Sequence, residues 1–107
     1  MFTFNKDVTA TEPIAGFSRK ILSYDENLMV VEGTFKKGTF VASHHHPHTQ
    51  ASYVSSGSIR AKVGGETRTL SKGDSILMGP DEPHEIEMLE DSVVIDVFTP
   101  MREDFVK

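Results

Sequence analysis

The stretch from Ser58 to Leu70 constrains the fold more than any other part of the chain. It reads Ser-Ile-Arg-Ala-Lys-Val, then Gly64-Gly65, then Glu-Thr-Arg-Thr-Leu. Ile59, Ala61 and Val63 alternate with Arg60 and Lys62, so an extended backbone has one apolar and one charged face. Two glycines between such runs supply the positive φ angles of a two-residue turn, which predicts an antiparallel hairpin. The same grammar recurs along the chain. Strands are expected at Phe17 to Tyr24, Leu28 to Phe35, Ser75 to Met78, His84 to Leu89 and Val93 to Thr99. Turn residues separate them: Asp25-Glu26-Asn27, Lys36-Lys37-Gly38, Ser71 to Asp74, Gly79 to Pro83 and Glu90 to Ser92. Pro100 closes the last strand because it cannot donate to a ladder. No helical period stands out, and the pattern predicts an all-β sandwich or barrel. At 107 residues the chain is one domain. Residues 1–16 are expected to be an N-terminal arm or an edge strand, 17–99 the barrel and 100–107 a C-terminal tail.

Charge narrows the partners. Eleven basic residues against sixteen acidic ones leave a net charge of −5, which disfavours nucleic acid and anionic membrane, since both reward a basic surface. The absence of cysteine removes disulfides, thiolate metal sites, iron–sulfur clusters and cysteine nucleophiles together. The N-terminus has no apolar signal segment, and no run approaches the roughly 20 apolar residues of a membrane span. The expectation is a soluble, cytoplasmic protein.

All five histidines fall in two places: His44, His45, His46 and His48 in Ser-His-His-His-Pro-His-Thr-Gln, and His84 in Asp-Glu-Pro-His-Glu-Ile. In an extended segment His44 and His46 share a face and His45 takes the other. Two imidazoles so spaced can grip one ion. Pro47 then bends the chain, Gln50 can return an amide oxygen to the same face, and His84 can close the set from another strand. Three neutral imidazoles and an oxygen suit Ni, Zn, Fe, Cu or Co better than Mg or Ca. The competing reading is an exposed histidine-rich loop that collects metal adventitiously. His45 is expected to point away from any ion. His48, beyond the bend, is open between a contact with substrate or metal and none.

One acid interrupts the apolar run Val93-Val-Ile-Asp96-Val-Phe-Thr99. Asp96 shares parity with Val94 and Phe98, and both faces of such a strand are expected to be covered, one by the barrel interior and one by a neighbouring layer or subunit. A buried carboxylate costs several kcal/mol unless paired or neutralised. Asp96 therefore reads either as a structural hydrogen-bonding or salt-bridge residue or as a general acid/base beside the metal.

The segment Gly38 to Gly57 fits G-x5-H-x-H-x3-[E]-x6-G, with Gln50 at the glutamate position. This resembles the first motif of the cupin superfamily. Gly73 to His84 resembles the second, G-x5-P-x-G-x2-H, with Gly79 at the proline position and Asp81 at the second glycine position. The resemblance covers roughly residues 28–99. It implies a single cupin domain over 1–107: an RmlC-like double-stranded β-helix, or jelly roll, with one divalent transition metal (Ni, Zn, Fe, Mn, Co or Cu) held by His44, His46, Gln50 and His84. The ending Asp96-Val-Phe-Thr-Pro-Met-Arg102-Glu-Asp-Phe105 is similar to that of the pectin-degradation cupins of the KdgF type, a group that also carries glutamine at the fourth ligand position. That likeness implies an isomerase- or lyase-like enzyme converting 4,5-unsaturated uronates to linear 5-keto-4-deoxyuronates in pectin or alginate breakdown. Asp96 would be the catalytic carboxylate and Arg102 a catalytic or substrate-binding cation. The partner would be a small anionic sugar acid, and the protein a homodimer. Two alternatives stay open: a metal-dependent dioxygenase, and a non-catalytic metabolite-binding cupin.

Overall fold

A computed structural model describes all of residues 1–107. Ten strands carry it: β1 (Thr11–Ile14), β2 (Phe17–Tyr24), β3 (Met29–Phe35), β4 (Phe40–His44), β5 (Thr49–Ser56), β6 (Ser58–Val63), β7 (Glu66–Ser71), β8 (Ser75–Met78), β9 (His84–Met88) and β10 (Ser92–Thr99). A single helical turn, α1 (Glu103–Val106), ends the chain. No helix is long and apolar enough to cross a membrane.

The strands form two antiparallel sheets, one ordered β1-β2-β3-β10-β5-β8 and the other β4-β9-β6-β7. This is the all-β architecture expected from the turn pattern, in the jelly-roll form that the cupin resemblance implies. Alternation along each strand puts Val31 and Phe35 of β3, Val54 of β5, Ile59 and Ala61 of β6, and Val94 and Phe98 of β10 inside. Gly57 makes the corner at which the chain leaves one sheet for the other. Its φ is 86°, and a Cβ there would collide with the Ser92 side chain and the Asp91 carbonyl.

Some details add to the sequence reading or depart from it. Only Gly64 of the Gly-Gly pair takes positive φ (60°), the pattern of a II′-type turn, which needs it at one position. On the outer side of β10, Val93, Ile95 and Val97 are half-buried by the single chain, with no second layer of this chain over them and the subunit alternative untouched. Residues 100–107 fold back rather than trail, with Met101 and Phe105 packed on Met29, Val31 and Phe98. Of the first sixteen residues, 11–14 form an edge strand on β2.

Candidate metal centre

The strand register brings the histidines together. His44 ends β4 and His84 begins β9, and the two are direct cross-strand partners with ring centroids 4.3 Å apart. His46 lies in the loop between β4 and β5, 5.1 Å from His84 by ring centroid. That loop is held by the next one over, where the Asp81 N–H donates to the His46 carbonyl at 2.7 Å. Asp81 reaches this position with φ 59°, a left-handed conformation at the place where the motif has glycine. Ligand atoms of His44, His46 and His84 lie within 4.8 Å of one another.

The ring nitrogens are already sorted. His44 donates from Nδ1 to the Ala42 carbonyl, and His84 from Nδ1 to the Glu82 carbonyl, both at 2.9 Å. In the neutral rings this leaves both Nε2 atoms as lone-pair donors. The Nε2 of His84 is buried and has no hydrogen-bond partner, a costly arrangement unless something binds there. Burial holds the pKa of both His46 and His84 below the ordinary histidine value, which favours the neutral, ligating form.

Gln50 is buried on β5, with its Oε1 2.9 Å from His46 Nε2. Its orientation is set from behind, because its amide N–H group donates to Ser52 Oγ at 3.0 Å and to Asp96 Oδ1 at 3.2 Å. The carbonyl oxygen must then face the histidines. Three imidazoles, one of them with an orphaned buried Nε2, and one oriented amide oxygen fit a divalent transition metal.

Asp96 points inward, as its parity with Val94 and Phe98 required, and lines the cavity with His44, Gln50 and His84. It accepts hydrogen bonds from Ser52 Oγ and from Gln50. Desolvation pushes its pKa up to about 6. The two hydrogen bonds and the Arg102 charge pull it down, and lose.

Arg102 belongs to the same cavity. Its side chain is 15% exposed, not a frayed surface charge. Its guanidinium stands over Phe105 at 4.3 Å and near Phe98 at 5.3 Å. Its Nε and Nη2 donate to the two carboxylate oxygens of Asp104 at 3.1 and 3.0 Å. That pairing holds the Asp104 carboxyl below its usual range.

His45 is exposed and turned toward Asp81, 3.4 Å away, consistent with strand parity. His48 stays outside the three-histidine cluster, but its ring packs edge-on against His46 at 5.4 Å. Sequence reasoning missed Ser52 and Arg19. Both had a signal, since each is a polar residue on the inward parity of its strand: Ser52 between Gln50 and Val54, Arg19 between Phe17 and Ile21.

A cupin-domain family model matches residues 31–98, which span His44, His46, Gln50 and His84. The chain belongs to the cupin family. This cupin is 39% identical over 105 residues to the pectin degradation protein KdgF of Dickeya dadantii, covering 95% of this chain and 96% of that protein. Its fold is similar to that of KdgF from a Halomonas species, with TM-score 0.94, 34% identity, and coverage of 98% of this chain and 97% of the other. An RmlC-like cupin from Shewanella frigidimarina also gives TM-score 0.94 at 34% identity, over 97% and 94% of the two chains.

Proposed function

We propose that this cupin opens 4,5-unsaturated uronates to 5-keto-4-deoxyuronates and acts in the breakdown of pectin or alginate. The observation that carries the reading is Asp96, a carboxyl with a pKa near 6 on the wall of a cavity shared with three histidines and Arg102. The likeness to the two KdgF proteins supports it. The cavity holds about 210 Å³. Drug-sized ligands fill pockets of roughly 300–1,000 Å³, so this one suits a single sugar ring rather than an oligosaccharide.

His44, His46, His84 and Gln50 would hold the metal, which when bound supplies positive charge and Lewis acidity toward an anionic sugar acid. Gln50 is neutral and leaves that charge undiminished. Asp96 carries the proton. Burial brings its pKa closer to neutrality than that of an ordinary aspartate, which suits a residue that must give and take a proton. Protonation at carbon 4 of the enol ether and addition of water at carbon 5 give a hemiketal. Cleavage of the bond between carbon 5 and the ring oxygen leaves a ketone at carbon 5 and a hydrate at carbon 1. The hydrate loses water to the aldehyde, so the net change is an isomerisation. Arg102, stacked and braced by Asp104, contributes a fixed positive charge beside the reacting ring.

The test is incubation of metal-loaded protein with lyase-generated unsaturated monouronate, following the near-ultraviolet absorbance of the conjugated alkene. Absorbance loss faster than in the chelated protein supports the reading. The apolar part of the wall, including Val31, Ile59 and Met88, favours a second reading as an oxygen-activating site. Oxygen uptake without alkene loss would select it. Binding without either would make the protein a metabolite-binding module.

A further inference from the structure

Arg19 is a charged residue on the inward face of β2, flanked on that face by Phe17, stacked on Phe35, and by Ile21, packed on the group Met29, Val31 and Phe98. It lines the same cavity as His44, His84, Asp96 and Arg102. Its Nε is buried without any hydrogen-bond partner. None of the five ion pairs in the structure involves it. The guanidinium is instead stacked over the Phe105 ring, 3.8 Å from its centroid.

Arg19 is half-buried with no ion-pair partner of its own, and a second cation close by makes that arrangement less favourable. Arg102 lies against the same Phe105 ring, so the two guanidinium carbons are no farther apart than the sum of 3.8 and 4.3 Å. The two arginines differ in one respect. Arg102 has committed Nε and Nη2 to Asp104. Arg19 has committed nothing. The two neighbouring carboxylates are both engaged, Asp104 by Arg102 and Asp96 by Ser52 and Gln50, so the guanidinium left without a partner is that of Arg19.

We infer that Arg19 is the specificity-determining residue that receives the substrate's carboxylate and selects acidic sugars over neutral ones. This rests on reading the cavity as a sugar-acid site. The Phe105 ring fixes the plane of the guanidinium before ligand arrives, which favours a bidentate, in-plane approach of a carboxylate. Arg102 then acts at the reacting part of the ring, and Arg19 anchors the acid.

The test uses metal-loaded parent protein, Arg19→Gln and Arg19→Lys, with folding checked by circular dichroism. Two quantities are measured: the affinity for D-galacturonate against D-galactose by calorimetry, and kcat and KM for unsaturated monouronate. The parent is expected to bind galacturonate in preference to galactose. Arg19→Gln should weaken galacturonate binding and raise KM by roughly 10- to 100-fold, the loss expected for one charged hydrogen-bonded pair, with a smaller effect on kcat. Arg19→Lys should recover part of the affinity. Parental affinity and parental KM in a folded Arg19→Gln protein would overturn the inference, as would a parent that binds galactose as well as galacturonate. The two readings fail separately. Arg19-dependent galacturonate binding without turnover would remove the ring-opening reaction and keep the anchor. Turnover with KM unmoved by Arg19→Gln would remove the anchor and keep the reaction.

Discussion

Replacing Asp96 by asparagine separates a catalytic role from a structural one, because the two roles predict opposite stability changes. The folded-state pKa of Asp96 is about 6, raised from 3.8 chiefly by desolvation. Each unit is worth about 1.4 kcal/mol, so above pH 6 the folded protein carries a charged carboxylate at a cost of about 3 kcal/mol. For a raised acid pKa the stabilising contribution is complete below pH 3.8 and is lost as pH rises through 6. Asparagine carries no such burden. It is nearly isosteric, and its Oδ1 can still accept from Ser52 and Gln50 as the carboxylate does. Metal-free Asp96→Asn should therefore melt above the parent at pH 8, by at most on the order of 10 °C for a domain of this size, and the gap should close toward pH 4. With metal restored, its turnover of unsaturated uronate should fall roughly 100- to 10,000-fold, as for the loss of a general acid/base. Thermal melts across pH and initial rates on the same preparations decide the matter. A variant that melts below the parent at pH 8 and keeps the parental rate would refute both the burial cost and the proton-transfer role.

Other perturbations test the remaining parts of the site. His44→Ala and His84→Ala should each lose the bound metal, about one ion per parent chain, by elemental analysis after dialysis; unchanged content in both would remove the ligand assignment. Gln50→Glu should hold metal more tightly yet turn over more slowly. It adds charge at the ion and replaces the N–H that donates to Asp96 with a second carboxylate, which should also raise the apparent acid pKa in the rate profile. In metal-free protein, two imidazoles should titrate below the ordinary value of 6.5 by NMR, and His46→Ala and His84→Ala should each delete one of them. Gly57→Ala should destabilise the fold by at least about 2 kcal/mol, read by denaturant unfolding, because the left-handed φ and the contact with Ser92 and Asp91 leave no room for a methyl group.

Local features were the legible ones. Alternation over Ile59, Ala61 and Val63 marks an inward face whatever the partner strands are, and a histidine pair two apart on a strand shares that face in any sheet. The hairpin, the shared face of His44 and His46 and the inward position of Asp96 were readable for this reason. What stayed hidden depends on register across distant strands. Ser52 lies opposite Asp96 because β5 and β10 are neighbours in one particular alignment. Arg19 and Phe105 meet across nearly the whole length of the chain, and no local pattern records it. The fate of the C-terminal segment was hidden for the same cause. Met101 and Phe105 look like residues of a loose tail until the apolar hollow of Met29, Val31 and Phe98 is known to receive them. Residues of mixed character were the most easily misjudged. An arginine on the apolar parity of β2 reads as an irregularity in a strand, although it marks the cavity.

The most direct test of the proposed reaction is proton NMR of unsaturated monouronate in deuterium oxide, with metal-loaded protein, chelated protein and no protein in parallel. Asp96 in deuterated solvent should deliver one deuteron to carbon 4. The vinylic H4 signal should then vanish and a singly deuterated carbon-4 methylene appear, in the metal-loaded sample well ahead of both controls. A vinylic signal that persists in the metal-loaded sample as long as in the control without protein would contradict the assignment of this cupin as a uronate ring-opening enzyme.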